Sequence, residues 1–380
     1  MSLFLNIVFF LAATVFSTMT VRTLLCLRSC HRLPKDLPLA KTPLVSVIFA
    51  ACDEQDRVEG TVRHLFAQQH VDLEIIAVDD RSRDATGQIF KTLSAEDPRL
   101  HPKRVDFLPE DWLGKCHACH VGASSARGEW LLFTDADCWL KPDTIARALA
   151  VAQKENVGHV TLTPGVSPQT VPAEAWHLAF LISAADWVHG VNQDDPKRHL
   201  GIGAFNLVRA DTYRKFGGHV ALRLSVVDDV KLGLLVRRSG GRTRAFIGGD
   251  DAECHWGVTV RQMMRIMEKN YFAAIDYRTF AGFFVGAVLP LIWLACLIGP
   301  LTGTFLGYAA GAALLSCSIP ALIIARRLRW PIRGAILVPF VFVALFIAVL
   351  NSTWTTLKQG GINWRNTFYP LDKLRAGNVK

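Results

Sequence analysis

The stretch that decides the fold is EWLLFTDADC, Glu129 to Cys138. Trp130 to Phe133 run without a polar interruption and stop at Thr134, Asp135 and Asp137. A short, unbroken apolar run bounded by polar residues predicts a strand buried on both faces, as in a parallel sheet covered by helices. In such sheets ligands bind beyond the C-terminal ends of the strands. The acids that close this stretch lie at that end.

Working outward, the same grammar repeats. LVSVIFAA (Leu44 to Ala51), LEIIAVDD (Leu73 to Asp80) and HVTLTP (His159 to Pro164) read as further buried strands. Between them lie helical stretches. One carries Val58, Val62, Leu65 and Phe66 on one face, and DATGQIFKTLSAED has Asp84 as a candidate cap. PDTIARALAVAQKE begins with Pro142 in its first turn. Strand–helix–strand repetition predicts an α/β fold with a mostly parallel sheet and flanking helices.

The ends of the chain are of another kind. Apolar residues make up 51% of the whole and charged residues only 20%. No charged residue occurs from Ser2 to Val21, from Thr279 to Ala325 or from Gly334 to Leu357. About 20 apolar residues cross a bilayer as a helix. The expected organisation is therefore an anchor over 1–25, a soluble domain over 40–277, about three membrane helices over 279–357 with GPLTG (Gly299 to Gly303) as a turn, and a basic tail over 358–380. Arg22, Arg28, Arg32 and Lys35 follow the first apolar run, and none precedes it. That asymmetry predicts a retained anchor with the soluble domain on the cytoplasmic side, in an integral membrane protein; the resemblance given below implies that the membrane is a bacterial inner membrane. Nine cysteines without a framework fit a reducing compartment. The net charge of +9 clusters beside the spans and favours anionic headgroups over nucleic acid. AWHLAFLISAADWVHGV (Ala175 to Val191) is expected to lie in the interface with its tryptophans at headgroup depth.

Three acidic sites carry the chemistry. Asp79 and Asp80 end the second strand, and Asp135 and Asp137 end the third. Residues two apart on an extended chain point the same way, so Asp135 and Asp137 are expected to face one ion. Hard cations such as Mg²⁺ and Mn²⁺ take oxygen ligands and share them with substrate phosphates. Asp228 and Asp229 open DDVKLGLLVRRSGG, where the helix dipole alone would favour acids.

These residues resemble family-2 glycosyltransferases of the GT-A fold, in the lipid-directed bacterial branch distantly similar to ceramide glucosyltransferase. The carriers are AACDEQDRV, AVDDRSRDAT, WLGKCHACHVGASSARGEWLLFTDAD and VVDDVKLG, between about Val45 and Tyr277. The resemblance implies an inverting enzyme that moves one sugar from a UDP- or GDP-sugar to a membrane lipid, with Mn²⁺ or Mg²⁺ as cofactor. It places Glu54 and Asp80 at the nucleoside and Lys115 near the diphosphate. Asp135 and Asp137 would hold the metal and diphosphate, and Asp229 would be the base for the acceptor hydroxyl. Asp228, Gln262 and Arg265 would lie on the acceptor or phosphate side. Two other readings stay open: a processive polysaccharide synthase and a non-catalytic nucleotide-sugar-binding protein. The Q-x-x-R-W signature of processive synthases appears here as QMMRI, with Ile266 in place of Trp, which favours single transfer.

Cys116, Cys119 and His120 spell C-x-x-C-H, the spacing of a c-type haem site. Neither haem nor structural zinc is expected, because the cytoplasmic placement opposes the first. Ligands on one helix also cannot close a tetrahedral site. His255 and Trp256 read as a packed loop pair or a lining of the acceptor path. At the far end, NWRNTFYPL resembles a terminal W-R-x-x-x-Y element of lipid-directed relatives that is expected to fold back toward the active site. Four full spans would put that basic tail on the far side of the membrane. One segment would then be re-entrant, with Gly334 to Leu357 and its Pro339 as the candidate, and the side of the tail stays open.

Overall fold

The computed structural model describes residues 3–255, 257–365 and 367–380. They form two compact units. One comprises His31–Ser167, Gly190–Trp256 and Arg365–Lys380, and the other Met1–Cys30, Pro168–His189 and Gly257–Trp364. Trp256, singled out above, lies outside the described residues.

The first unit is built on an eight-stranded sheet: β1 (Val45–Ala51), β2 (Leu73–Asp80), β3 (Leu100–Val105), β4 (Trp130–Phe133), β5 (Cys138–Leu140), β6 (His159–Val166), β7 (Asn206–Arg209) and β8 (Thr243–Cys254). Their order is β3-β2-β1-β4-β7-β6-β8-β5. The block β3-β2-β1-β4 is parallel throughout, while β7 runs antiparallel to both its neighbours. Side chains alternate across the sheet with the two-residue period of a strand. Val47 and Phe49 face a core shared with Leu65, Phe90 and Leu149, whereas Ile48 faces Ile76, Val78, Cys119 and Phe133. Burial on both faces is why these strands read as continuous apolar runs. The α/β expectation is met, in the GT-A-like form of a mixed but mostly parallel sheet.

One detail differs. The third predicted strand was expected to run to Asp137, yet β4 ends at Phe133 and the chain turns before β5. Asp135 and Asp137 therefore sit in the connection, and strand alternation does not orient them.

The second unit is helical. Leu3–Ser29, Thr279–Thr302, Phe305–Leu328 and Arg333–Gln359 are long and apolar enough to cross a membrane. Phe10, Leu291, Phe305 and Ile336 are exposed on them, as lipid-facing residues would be. Gly303, at a φ of 69°, makes the turn expected at GPLTG. The helix over Arg333–Gln359 is continuous through Pro339, whose carbonyl oxygen accepts from Trp293 Nε1 at 2.7 Å. It is long and apolar enough to cross a membrane. Val171–Asn192 is a helix, but Trp176 within it is fully buried rather than placed at headgroup depth. Its Asp186 pairs with Arg22 at 2.6 Å, and its Glu174 with Arg333 at 3.3 Å.

Candidate active site

The loops after β1 and β2 are laced together. Asp53 N donates to Ser82 Oγ at 3.1 Å, Arg83 N to Asp53 Oδ1 at 2.8 Å, and Glu54 N to Thr86 Oγ1 at 2.9 Å. Asp84 accepts from Thr86 N and Gln55 N, but it stands one residue before the N-cap, which is Ala85, and so is not the cap expected there. Asp53 and Arg81 adopt left-handed backbone, at φ of 55° and 60°. Such strain in residues other than glycine persists only where surrounding bonds hold it.

Asp79 and Asp80 are adjacent on β2 and so face opposite ways. Asp79 is buried, accepts from Ser82 N at 2.9 Å and pairs with Arg104. Asp80 binds Arg81 through both carboxylate oxygens, at 2.8 and 3.1 Å. A Cβ on Gly114 would sit 2.5 Å from Asp80 Oδ2 and 2.7 Å from Arg81 Nη2. Glycine there lets this pair close on the start of the helix Gly114–Ser125.

That helix presents Lys115. Its Nζ lies 2.7 Å from Asp135 Oδ1 and 3.9 Å from Asp228 Oδ1. Burial opposes the ammonium charge, but Asp135, Asp228 and Asp229 outweigh it and hold the Lys115 pKa well above its ordinary value. Asp229 lies in the first turn of Asp228–Arg238. Its Oδ2 accepts from Gly203 N and its Oδ1 from Val230 N, both at 2.8 Å. Burial raises its pKa above the ordinary carboxylate value, and Lys115 works against that rise. A small cavity is lined by Lys115, Cys119, Asn206, His219, Asp228 and Asp229.

Asp137 lies on the other side of Asp135. Burial pushes its carboxyl up to about 6, helped by the charges of Asp135 and Glu54 and opposed by Arg57. Arg57 stands 3.8 Å away, too far for a close pair. Carboxylates crowded this way with so little balancing charge fit a divalent cation, so Asp135 and Asp137 suit that role. Among the described residues no group of three or more His, Cys, Asp or Glu side chains gathers to hold a metal. Further oxygens would have to come from substrate phosphates, as hard cations commonly require.

Of the residues singled out from sequence, Glu54, Asp80, Lys115, Asp135, Asp137, Asp228 and Asp229 all belong to the sheet unit. Gln262 and Arg265 belong to the other. The Gln262 side chain accepts from Val258 N at 3.1 Å while Thr259 Oγ1 accepts from Gln262 N at 3.3 Å. This reciprocal cap explains Gln262 without a substrate. Arg265 is exposed on the same helix.

Several residues escaped the sequence reading. Gly201 packs its Cα against the Asp229 carbonyl, and a Cβ on Gly203 would fall 2.7 Å from Asp135 Oδ2. The GIGAF spacing before β7 is the signal that could have identified them. His219 is buried, with Nδ1 2.7 Å from the Tyr213 hydroxyl and Nε2 4.0 Å from Asp228. Burial first, then Lys115, lowers its pKa to about 3, which keeps the ring neutral. No local pattern announces it.

The C-x-x-C-H helix has a packing role. Cys116 and Cys119 are buried, Cys116 Sγ donates to Ser225 O at 3.6 Å, and His120 stacks on Trp112. Burial raises both thiol pKa values well above the ordinary range, so neither is a thiolate. His255 packs edge-on against Trp139, with ring centroids 3.9 Å apart, and its N donates to Asp137 O at 3.1 Å.

Residues 46–217 match the model of the family described as Glycosyl transferase family 2. Among curated proteins, the chain is 30% identical over 125 residues to a 4,4'-diaponeurosporenoate glycosyltransferase of Staphylococcus haemolyticus, covering 32% of each chain. It is 25% identical over 195 residues to the protein of that description from Staphylococcus aureus (strain USA300), covering 50% of each. The chain thus spans half or less of the length of these relatives. Among solved structures it resembles a mannosyltransferase from Pyrobaculum calidifontis in complex with GDP-Man and Mn²⁺. That likeness has a TM-score of 0.57 and 18% identity, and covers 92% of this chain and 99% of the other. At that identity it speaks for the fold alone.

Proposed function

We propose that this chain, whose residues 46–217 match the glycosyl transferase family 2 model, moves a single sugar from a nucleotide diphosphosugar to a lipid with inversion at the anomeric carbon. The observation that carries the proposal is the assembly of Lys115, Asp228 and Asp229 about one cavity beyond the end of β4, with Asp135 paired to Lys115. Glu54, in the loop after β1, and Asp80, the last residue of β2, would receive the nucleoside.

Asp229 is the base. Backbone N–H groups fix both of its oxygens, and burial makes the carboxylate a stronger proton acceptor than one in water. As it takes the proton from an acceptor hydroxyl, the oxygen bonds to the anomeric carbon. The carbon–oxygen bond to the diphosphate breaks, and its electron pair leaves with the nucleoside diphosphate. Lys115 offers positive charge to that leaving group. Asp135 and Asp137 would hold a divalent cation, which supplies further neutralisation of the diphosphate when bound. A divalent cation is in keeping with the Pyrobaculum calidifontis mannosyltransferase of similar fold, which was solved with GDP-Man and Mn²⁺.

A lipid acceptor is supported by the four apolar helices and by the relatives, which are described as acting on 4,4'-diaponeurosporenoate. The sheet unit includes both His31–Ser167 and Arg365–Lys380, and one compact unit lies on one side of a bilayer. The three apolar helices before the tail would then cross an even number of times, with one of them not crossing. We place this unit in the cytoplasm, on the basic residues that follow the first helix.

The test is turnover by the full chain in native-like membranes, offered UDP- and GDP-sugars with Mn²⁺ or Mg²⁺. Metal-dependent entry of sugar into extracted lipid, lost in Asp229→Asn, is the expected result. Folded protein that labels no lipid with any donor would overturn the reading in favour of a binding protein.

A further inference from the structure

The last residues of the chain return to the sheet unit after the apolar helices. There they touch four segments, each of which carries or adjoins a residue of the site. Arg365 pairs through its guanidinium with Glu54, in the loop after β1. The Tyr369 hydroxyl accepts from Gly114 N at 3.3 Å, the residue before Lys115. Lys373 Nζ reaches Glu110 Oε1 at 2.7 Å and Asp111 Oδ1 at 2.8 Å, just ahead of the same helix. Lys231, on the helix that opens with Asp228 and Asp229, donates to Val379 O.

The chemistry of two of these contacts is specific. Gly114 N is one of the first N–H groups of a helix, which have no intrahelical partner. Tyr369 supplies that partner from a buried position. On the same glycine, the Asp80–Arg81 pair occupies the space where a Cβ would be. Tyr369, Gly114, Asp80 and Arg81 thus form one packed group at the nucleoside side of the site. Arg365 holds a left-handed backbone, at a φ of 49°, which a residue other than glycine adopts at a cost.

Resting on the donor reading above, we propose that Arg365 and Tyr369 are positioning residues of the donor site. Arg365 holds Glu54 in place for the nucleoside, and Tyr369 fixes the start of the helix that presents Lys115. Donor affinity therefore depends on a segment that follows the apolar helices in sequence.

The experiment is calorimetric titration of the full chain in nanodiscs with UDP and with GDP, in Mn²⁺. Arg365→Ala is expected to weaken the nucleotide that wild type binds by about tenfold, the scale of one charged hydrogen bond. Arg365→Lys should recover most of that loss, and Tyr369→Phe, which keeps the ring, should weaken binding about threefold. Glu54→Gln combined with Arg365→Ala should cost less than the product of the two single losses, as expected for groups that act through each other. Unchanged affinity in both Arg365→Ala and Tyr369→Phe would overturn the proposal. So would a lower melting temperature with affinity intact, or losses at Glu54 and Arg365 that simply multiply. Wild-type protein that binds neither nucleotide would overturn the donor reading itself, and this proposal with it.

Discussion

The two acidic pairs after β2 and β4, strands on either side of β1, began as equals in the sequence and end as opposites in the structure. Asp79 and Asp80 each face an arginine at close range, and their charge is matched. Asp135 shares Lys115 with Asp228, and Asp137 has only a distant Arg57 against two carboxylate neighbours. A carboxylate that stabilises a fold is neutralised within the fold. One that serves a ligand is left with charge for the ligand to balance. Burial first, then the charges of Asp135 and Glu54, pushes the Asp137 carboxyl up to about 6.

This contrast can be broken or sharpened by substitution. The largest effect should come from Asp229→Asn, which keeps the shape but cannot accept a proton. Its kcat is expected to fall by roughly 10²- to 10⁴-fold with the melting temperature preserved. Asp137→Asn should follow, with metal-dependent turnover reduced on the order of a hundredfold. It should leave stability unchanged or raised, because a crowded charge has been removed. Asp79→Asn should do the reverse. Urea denaturation should show a loss of about 1–3 kcal/mol, from an interrupted buried hydrogen-bonded pair, with kcat little changed. If Asp79 and Asp137 behave alike, the distinction between matched and unmatched acids fails.

Smaller effects test the electrostatics. Asp229 must be ionised to act, and burial raises its pKa above 3.8, so activity should be lost as pH falls through a midpoint above that value. Lys115 opposes the rise, so Lys115→Gln should move the acid limb of kcat to still higher pH. A limb that stays in place in Lys115→Gln would separate it from Asp229. The smallest change is expected at Cys116→Ala, which removes one buried sulfur. It should cost about 1 kcal/mol of stability and leave kcat within about twofold, since the thiol is packed and protonated.

Much of this was legible in the sequence. Buried strands and apolar helices are local signals, set by which faces of a segment meet water or lipid. The β1, β2 and β6 runs and the helix turn at Gly303 were therefore readable in advance. The list of acids was readable too, because carboxylates at strand ends stand out against apolar runs. Their orientation was not. Strand alternation was the wrong rule for Asp135 and Asp137, since the chain leaves β4 at Phe133. Gln262 N donates to the Thr259 cap of its helix, and Trp176, read as interfacial, is buried.

The sequence by itself determined the period of each element, the apolar stretches and the residue types available for chemistry, because these depend on neighbours a few positions away. Only the tertiary structure decided which charge meets which. Lys115 reaches Asp135 and Asp228, Gly203 fits between Asp135 and Asp229, and Arg365 returns to Glu54. Each of these pairings joins segments far apart in the chain, and a Coulomb interaction depends on distance in space, which no local pattern encodes.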